Sequence, residues 1–162
     1  KLEGGKSMAP VIKTIVRAGI PVQGHIGLTP QTASSLGGFR VQGKSAKAAR
    51  ALIDDAKALE DAGCFSLVLE AIPAPIAKMV TEAVSIPTIG IGAGIDCDGQ
   101  VLVTYDMVGL FDRFTPKFVK QYAKISETVS ASIAEFKADV ESGRFPEEKH
   151  SFTMKTDELN KV

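Results

Sequence analysis

Three short apolar runs in this chain each carry ionisable residues just before a loop: Lys1-Leu2-Glu3-Gly4-Gly5, Gly24-His25-Ile26-Gly27 and Leu67-Val68-Leu69-Glu70. Charged strand ends that lead into helices are how a (β/α) barrel presents catalytic groups at its C-terminal rim. Side chains alternate along a strand, so Lys1 shares a face with Glu3, Gln23 with His25, and Glu70 with Ser66 and Val68. An ammonium, two carboxylates and an imidazole converging on one mouth supply a cation for an anionic substrate, a carboxylate for a hard metal, and groups for proton transfer. Glu70 follows an apolar run and precedes Ala71-Ile72-Pro73, which argues against a solvated surface carboxylate. His25 lies between two glycines that allow close ligand approach, and a structural role competes evenly with a catalytic one. For Lys1 and Glu3 the pattern alone favours a frayed terminus.

The elements that must position these groups alternate along the chain. Met8, Val11, Ile12, Ile15 and Val16 recur at helical spacing, so residues 6–18 read as a helix with Ser7 as N-cap, Pro10 in the first turn and Gly19 as its stop. Ile20-Pro21-Val22 opens a strand that runs to His25. A second helix starts near Ser45, turns Ala49, Leu52, Ile53, Ala56 and Leu59 inward, and stops at Gly63. Residues 64–69 are nearly all apolar, as a parallel strand covered on both faces would be. A third helix is predicted from Pro75 to Val84, a strand over 87–91 and a further strand over 101–105. Such β-α-β units imply parallel strands. About five strands are counted against the eight of a closed barrel, so the others are expected upstream of residue 1. Residues 28–44 lack any period and are rich in glycine, which suggests a mobile cover over the site. Phe118, Tyr122, Ile125, Val129, Phe136 and Val140 mark a long amphipathic helix over roughly 117–142, followed by a polar tail. The expected organisation is therefore 1–116 for barrel strands and helices, and 117–162 for the helix and tail.

Composition narrows the choices. The 162 residues balance 19 basic against 19 acidic side chains, with no basic stripe among the aromatics, which disfavours nucleic acid as a partner. No apolar run approaches the ~20 residues a membrane-spanning helix needs, so no membrane partner is expected. Cys64 and Cys97 have no metal-knuckle spacing, and a reducing cytosol fits them best. Gly90-Ile91-Gly92-Ala93-Gly94 is a weak match to a dinucleotide fingerprint, with no helix opening after it, and reads instead as a strand end where bulk is excluded near a substrate. His150 is expected to be exposed, and Asp96, Asp98 and Asp106 to serve as caps or rim groups.

Several motifs then resemble one family. Residues 1–5, Gly24-His25-Ile26-Gly27-Leu28-Thr29-Pro30-Gln31, the run Gly37–Lys44, Leu67–Pro73 and Ile89–Gly94 have the order and spacing of ketopantoate hydroxymethyltransferases, and Phe145–Phe152 resembles that family's C-terminus. The resemblance implies the C-terminal part of a (β/α)8 TIM barrel of the phosphoenolpyruvate/pyruvate type. It also implies an N-terminal half upstream of Lys1 that carries two further aspartates for magnesium and the keto acid. The implied reaction is magnesium-dependent transfer of a one-carbon unit from 5,10-methylenetetrahydrofolate to 3-methyl-2-oxobutanoate, giving 2-dehydropantoate for pantothenate and coenzyme A synthesis. Carried over by position, Lys1 would bind the substrate's carboxylate side, Glu3 would help hold the metal, Glu70 would be the catalytic acid/base, and His25 would line the pocket beside it. The implied enzyme is cytoplasmic and a large homo-oligomer, a decamer. Gln23 and Ala71 depart from the cysteines of many relatives. Two alternatives are a magnesium-dependent carbon–carbon lyase on a 2-oxo acid from the same barrel group, and an inactive or partner-complemented barrel fragment with an open sheet edge.

Overall fold

The computed structural model describes residues 1–31, 34 and 38–162. Contacts divide it into two units, Lys1–Val103 with Pro116–Val119, and Thr104–Thr115 with Lys120–Val162.

The first unit is a parallel α/β layer. Strands β1 (Leu2–Glu3), β2 (Gln23–Gly27), β3 (Ser66–Glu70), β4 (Thr88–Ile91) and β5 (Gly99–Gln100) pair in sequence order, every pair parallel. Helices α1 (Ala9–Arg17), α2 (Ala46–Asp61) and α3 (Ala74–Ala83) connect the first four strands. The core joins one sheet face to these helices: Ile26, Leu67 and Leu69 pack with Ile12 of α1, with Leu52, Ala56 and Leu59 of α2, and with Ala77 and Val80 of α3. Period two on the strands and period 3.6 on the helices meet in one apolar layer, which leaves the alternate strand positions to the opposite face.

Local signals fix most boundaries. Ser45 caps α2, its extended backbone letting Oγ accept the Ala48 N–H at 3.2 Å. The first helix departs from the expectation at its start. Residues Lys6–Met8 form a 3-10 turn, Ser7 makes no cap, and Asp55 of α2 instead accepts the Lys6 N–H. The turn's first N–H is thus held by a residue 49 positions away.

The strand expected at 101–105 is not formed. β5 ends at Gln100, and Thr104–Met107 is a short helix, α4. The apolar alternation there has strand character, but a strand extends only as far as its partner, and β4 ends at Ile91 before Gly92 turns away with φ +65°.

In the second unit the long helix α5 spans Ile125–Glu141, eight residues shorter at its start than the amphipathic pattern suggested. Tyr122 N–H donates to the Met107 carbonyl and Ile125 N–H to that of Val108, so the chain leading into α5 is tied to the end of α4 and the residue after it. The tail adds a 3-10 turn at Glu148–His150 and helix α6 at Thr156–Leu159. Among the described residues no helix is long and apolar enough to cross a membrane.

Candidate active site

The four ionisable residues singled out in the sequence meet on one face of β1, β2 and β3: Lys1 just precedes β1 and Glu3 ends it, His25 lies in the middle of β2, and Glu70 ends β3. Register explains why. Glu3 pairs with His25, His25 with Val68, and Gly27 with Glu70, so Glu3, His25 and Glu70 project from the face opposite the helices. His25 is 1% exposed. Its Nδ1 lies 2.7 Å from Lys1 Nζ and 3.6 Å from Glu3 Oε1, and its Nε2 lies 3.0 Å from Glu70 Oε2. Lys1 Nζ is 3.6 Å from Glu3 Oε1, which closes the group. The Nε2 contact is close but unaligned, so Nε2 is a buried atom without a well-directed hydrogen bond. Lys1 remains partly exposed, whereas the carboxyl groups of Glu3 and Glu70 are largely covered.

Two features missed in the sequence complete the surroundings. Glu3 Oε2 accepts the backbone N–H of Gln31 at 3.0 Å, which anchors the start of the 28–44 segment to the site. Gln23 and Ser66, two and four positions before His25 and Glu70, pair on the same face, with Gln23 Nε2 donating to Ser66 Oγ at 2.9 Å. Polar residues at inward positions of otherwise apolar strands were the available signal. The 28–44 segment is also held at both ends. Leu28 N–H donates to the Glu70 carbonyl at 2.8 Å and Gln42 N–H to the Ala71 carbonyl at 2.9 Å. Ala71 adopts φ +49°, turning the chain sharply just after Glu70. The expected cover falls partly on Thr32, Ala33, Ser35, Leu36 and Gly37, which lie outside the described residues.

The glycine run that begins inside β4 at Gly90 proves to be about packing of the chain itself. A Cβ at Gly90 would lie 2.9 Å from Cys97 Sγ, and one at Gly92 2.8 Å from the Phe118 ring. Bulk is excluded there by the protein's own side chains. Cys97 and Cys64 are free, and burial pushes both thiols up from their ordinary value, which disfavours the nucleophilic thiolate. Asp98 accepts the Thr88 N–H at 2.8 Å, and His150 is exposed with its Nδ1 accepting the Glu147 N–H. Among the described residues no group of three or more His, Cys, Asp or Glu is arranged to hold a metal ion. Glu3 fits as a single carboxylate ligand, since magnesium commonly takes one or two carboxylates and completes its shell with water and substrate oxygens.

A parallel α/β sheet with Glu3 and Glu70 at the carboxyl ends of their strands has the arrangement that α/β enzymes use for ligands. Residues 1–148 match the family model described as ketopantoate hydroxymethyltransferase, and the chain belongs to that family. It is 61% identical over 158 residues to the 3-methyl-2-oxobutanoate hydroxymethyltransferase of Oleidesulfovibrio alaskensis, covering 98% of this chain and 55% of that protein. Proteins of the same name from Syntrophobacter fumaroxidans and Clostridioides difficile are each 57% identical over all 162 residues, which span 57% and 59% of their lengths. The chain thus spans less than two thirds of the curated relatives it matches.

Proposed function

We propose that this chain serves the transfer of a hydroxymethyl group from 5,10-methylenetetrahydrofolate to 3-methyl-2-oxobutanoate, giving 2-dehydropantoate in cytoplasmic pantothenate synthesis. The observation that carries this reading is the meeting of Lys1, Glu3, His25 and Glu70 on one face of three neighbouring strands. In this reading the five strands are the C-terminal part of a (β/α)8 barrel, and the enzyme is a large homo-oligomer.

The chemistry follows from the residue types. The Lys1 ammonium pairs with the keto acid's carboxylate, while His25 lines the same pocket. Glu70 takes the proton from the carbon next to the ketone, leaving the electron pair of that C–H bond in an enolate that attacks the one-carbon unit. A water molecule supplies the hydroxyl oxygen, both carbon–nitrogen bonds to the folate break, and the two nitrogens take up the substrate proton and one proton from that water. Glu3 would hold magnesium, with further ligands from outside these 162 residues. When bound, magnesium polarises the ketone and stabilises enolate charge. The covered position of Glu70 keeps bulk water from its carboxylate during the transfer.

The test is chromatographic detection of 2-dehydropantoate from the two substrates with magnesium, using the chain extended to the length of its relatives. Product that disappears on magnesium chelation and in Glu70→Gln is expected. Its absence from the extended, folded enzyme would overturn the assignment, whereas turnover by the 162 residues alone would overturn only the placing of further magnesium ligands outside them.

A further inference from the structure

We propose that Lys1 and His25 form a fixed-tautomer chain whose function is to position the Glu70 carboxylate. This role rests on the reading of Glu70 as the proton-transfer group, and it goes beyond lining a pocket.

An ammonium group has three donors and no acceptor. With Lys1 Nζ 2.7 Å from His25 Nδ1, that ring nitrogen must offer its lone pair, because a proton on it would be driven against the ammonium hydrogens. A neutral imidazole carries one N–H, so the proton sits on Nε2. Nε2 lies 3.0 Å from Glu70 Oε2, buried and without an aligned partner among the described residues. A turn of the Glu70 carboxylate into line with the Nε2–H would convert this close contact into a directed hydrogen bond. The Lys1 ammonium therefore selects which face of the ring donates, and the ring holds the carboxylate toward the space above the strand ends. Glu3 Oε1, 3.6 Å from both Nδ1 and Lys1 Nζ, keeps the ammonium beside Nδ1. The backbone secures the imidazole: His25 sits mid-strand between β1 and β3, and its carbonyl accepts the Gly4 N–H at 3.0 Å.

Two measurements on the active polypeptide test this. Nitrogen-15 NMR of histidine-labelled protein reads the tautomer, with the His25 signals identified by their loss in His25→Gln. Bare Nδ1 and protonated Nε2 are expected in the native protein. In Lys1→Met a mixture is expected, because Nδ1–H can then turn to Glu3. Native protein protonated on Nδ1 would overturn the chain whatever reaction the enzyme performs. The second measurement separates kcat from KM. Gln places an amide N–H where Nε2–H stood, whereas Asn reaches only the Nδ1 position. His25→Gln should therefore lose less than about tenfold in kcat and His25→Asn about a hundredfold, the scale set by misplacing a reacting group by about 1 Å. KM for 3-methyl-2-oxobutanoate should stay within about twofold in both, as for a residue that acts through another. Equal loss in the two variants, or a raised KM with kcat intact, would overturn the positioning role. If the Nε2–H tautomer is found but the enzyme makes no 2-dehydropantoate, the functional assignment fails and the chain as a reaction-positioning device fails with it, while the tautomer lock stands.

Discussion

At the residue scale, roles and stability separate cleanly. Glu70→Gln keeps the size of the side chain but cannot exchange a proton, so kcat should fall by about 10²–10⁴-fold, with keto-acid and magnesium binding nearly intact by calorimetry. Glu3→Gln should instead weaken magnesium affinity, and high magnesium should restore part of the activity. Magnesium rescue of Glu70→Gln but not Glu3→Gln would mean that the two carboxylates have been assigned the wrong way round. Away from the site, hydrogen bonds from the Ser85 hydroxyl and backbone N–H hold Glu60 below its ordinary value, and those from the Thr88 N–H and hydroxyl do the same for Asp98. A carboxylate with a lowered folded value binds fewer protons in the native state than in the unfolded chain. Its stabilisation is complete above the unfolded value of about 4 and fades as pH falls through the lowered one. The urea midpoint should therefore drop from about pH 5 towards pH 3, and less steeply in Glu60→Gln and Asp98→Asn. An unchanged slope in both variants would remove these two groups from the acid response.

At the element scale, junctions matter more than element interiors. Gly27 ends β2 with φ +94°, and a Cβ there would collide with the Glu70 carbonyl oxygen that receives the Leu28 N–H. Gly27→Ala should cost at least ~1 kcal/mol in chemical denaturation and lower turnover as well, because the same peptide carries Glu70. Ser45→Ala should cost about 1 kcal/mol by removing one cap, with turnover unchanged in what remains folded. Helices α2 and α3 and strands β3 and β4 were legible in the sequence to within about two residues, and β2 to within about three, because apolar period and stop signals agree there. The start of α1, the absent strand at 101–105 and the late start of α5 were not legible. Each depends on a remote partner: Asp55 for Lys6, the end of β4 for residues 101–105, and the Met107 and Val108 carbonyls for Tyr122 and Ile125.

At the scale of the whole molecule, α5 leaves Ile125, Val129, Ile133, Phe136 and Val140 exposed at helical spacing. Apolar stripes of this length are usually covered in working assemblies. Sedimentation of the active enzyme should give a mass many times that of one chain, and a strictly monomeric active enzyme would refute the homo-oligomer. What the sequence determined by itself was the alternation of elements, the parallel α/β class and the four residues worth watching. Periodicity, caps and side-chain parity are local properties, and they suffice to say which strand positions share a face. Which of those positions touch was decided only by tertiary structure. Pairing β1 with β2 and β2 with β3 in one register sets Lys1, Glu3 and Glu70 around His25. Lys1 and Glu3, which the pattern alone left as a frayed terminus, are held because β1 finds its partner in β2, Leu2 pairing with Gly24 and Glu3 with His25, each 22 positions along the chain. A one-residue slip in either pairing would move these side chains to the helix-covered face. Hydrogen bonds between strands distant in sequence choose that register, and a linear pattern does not contain them.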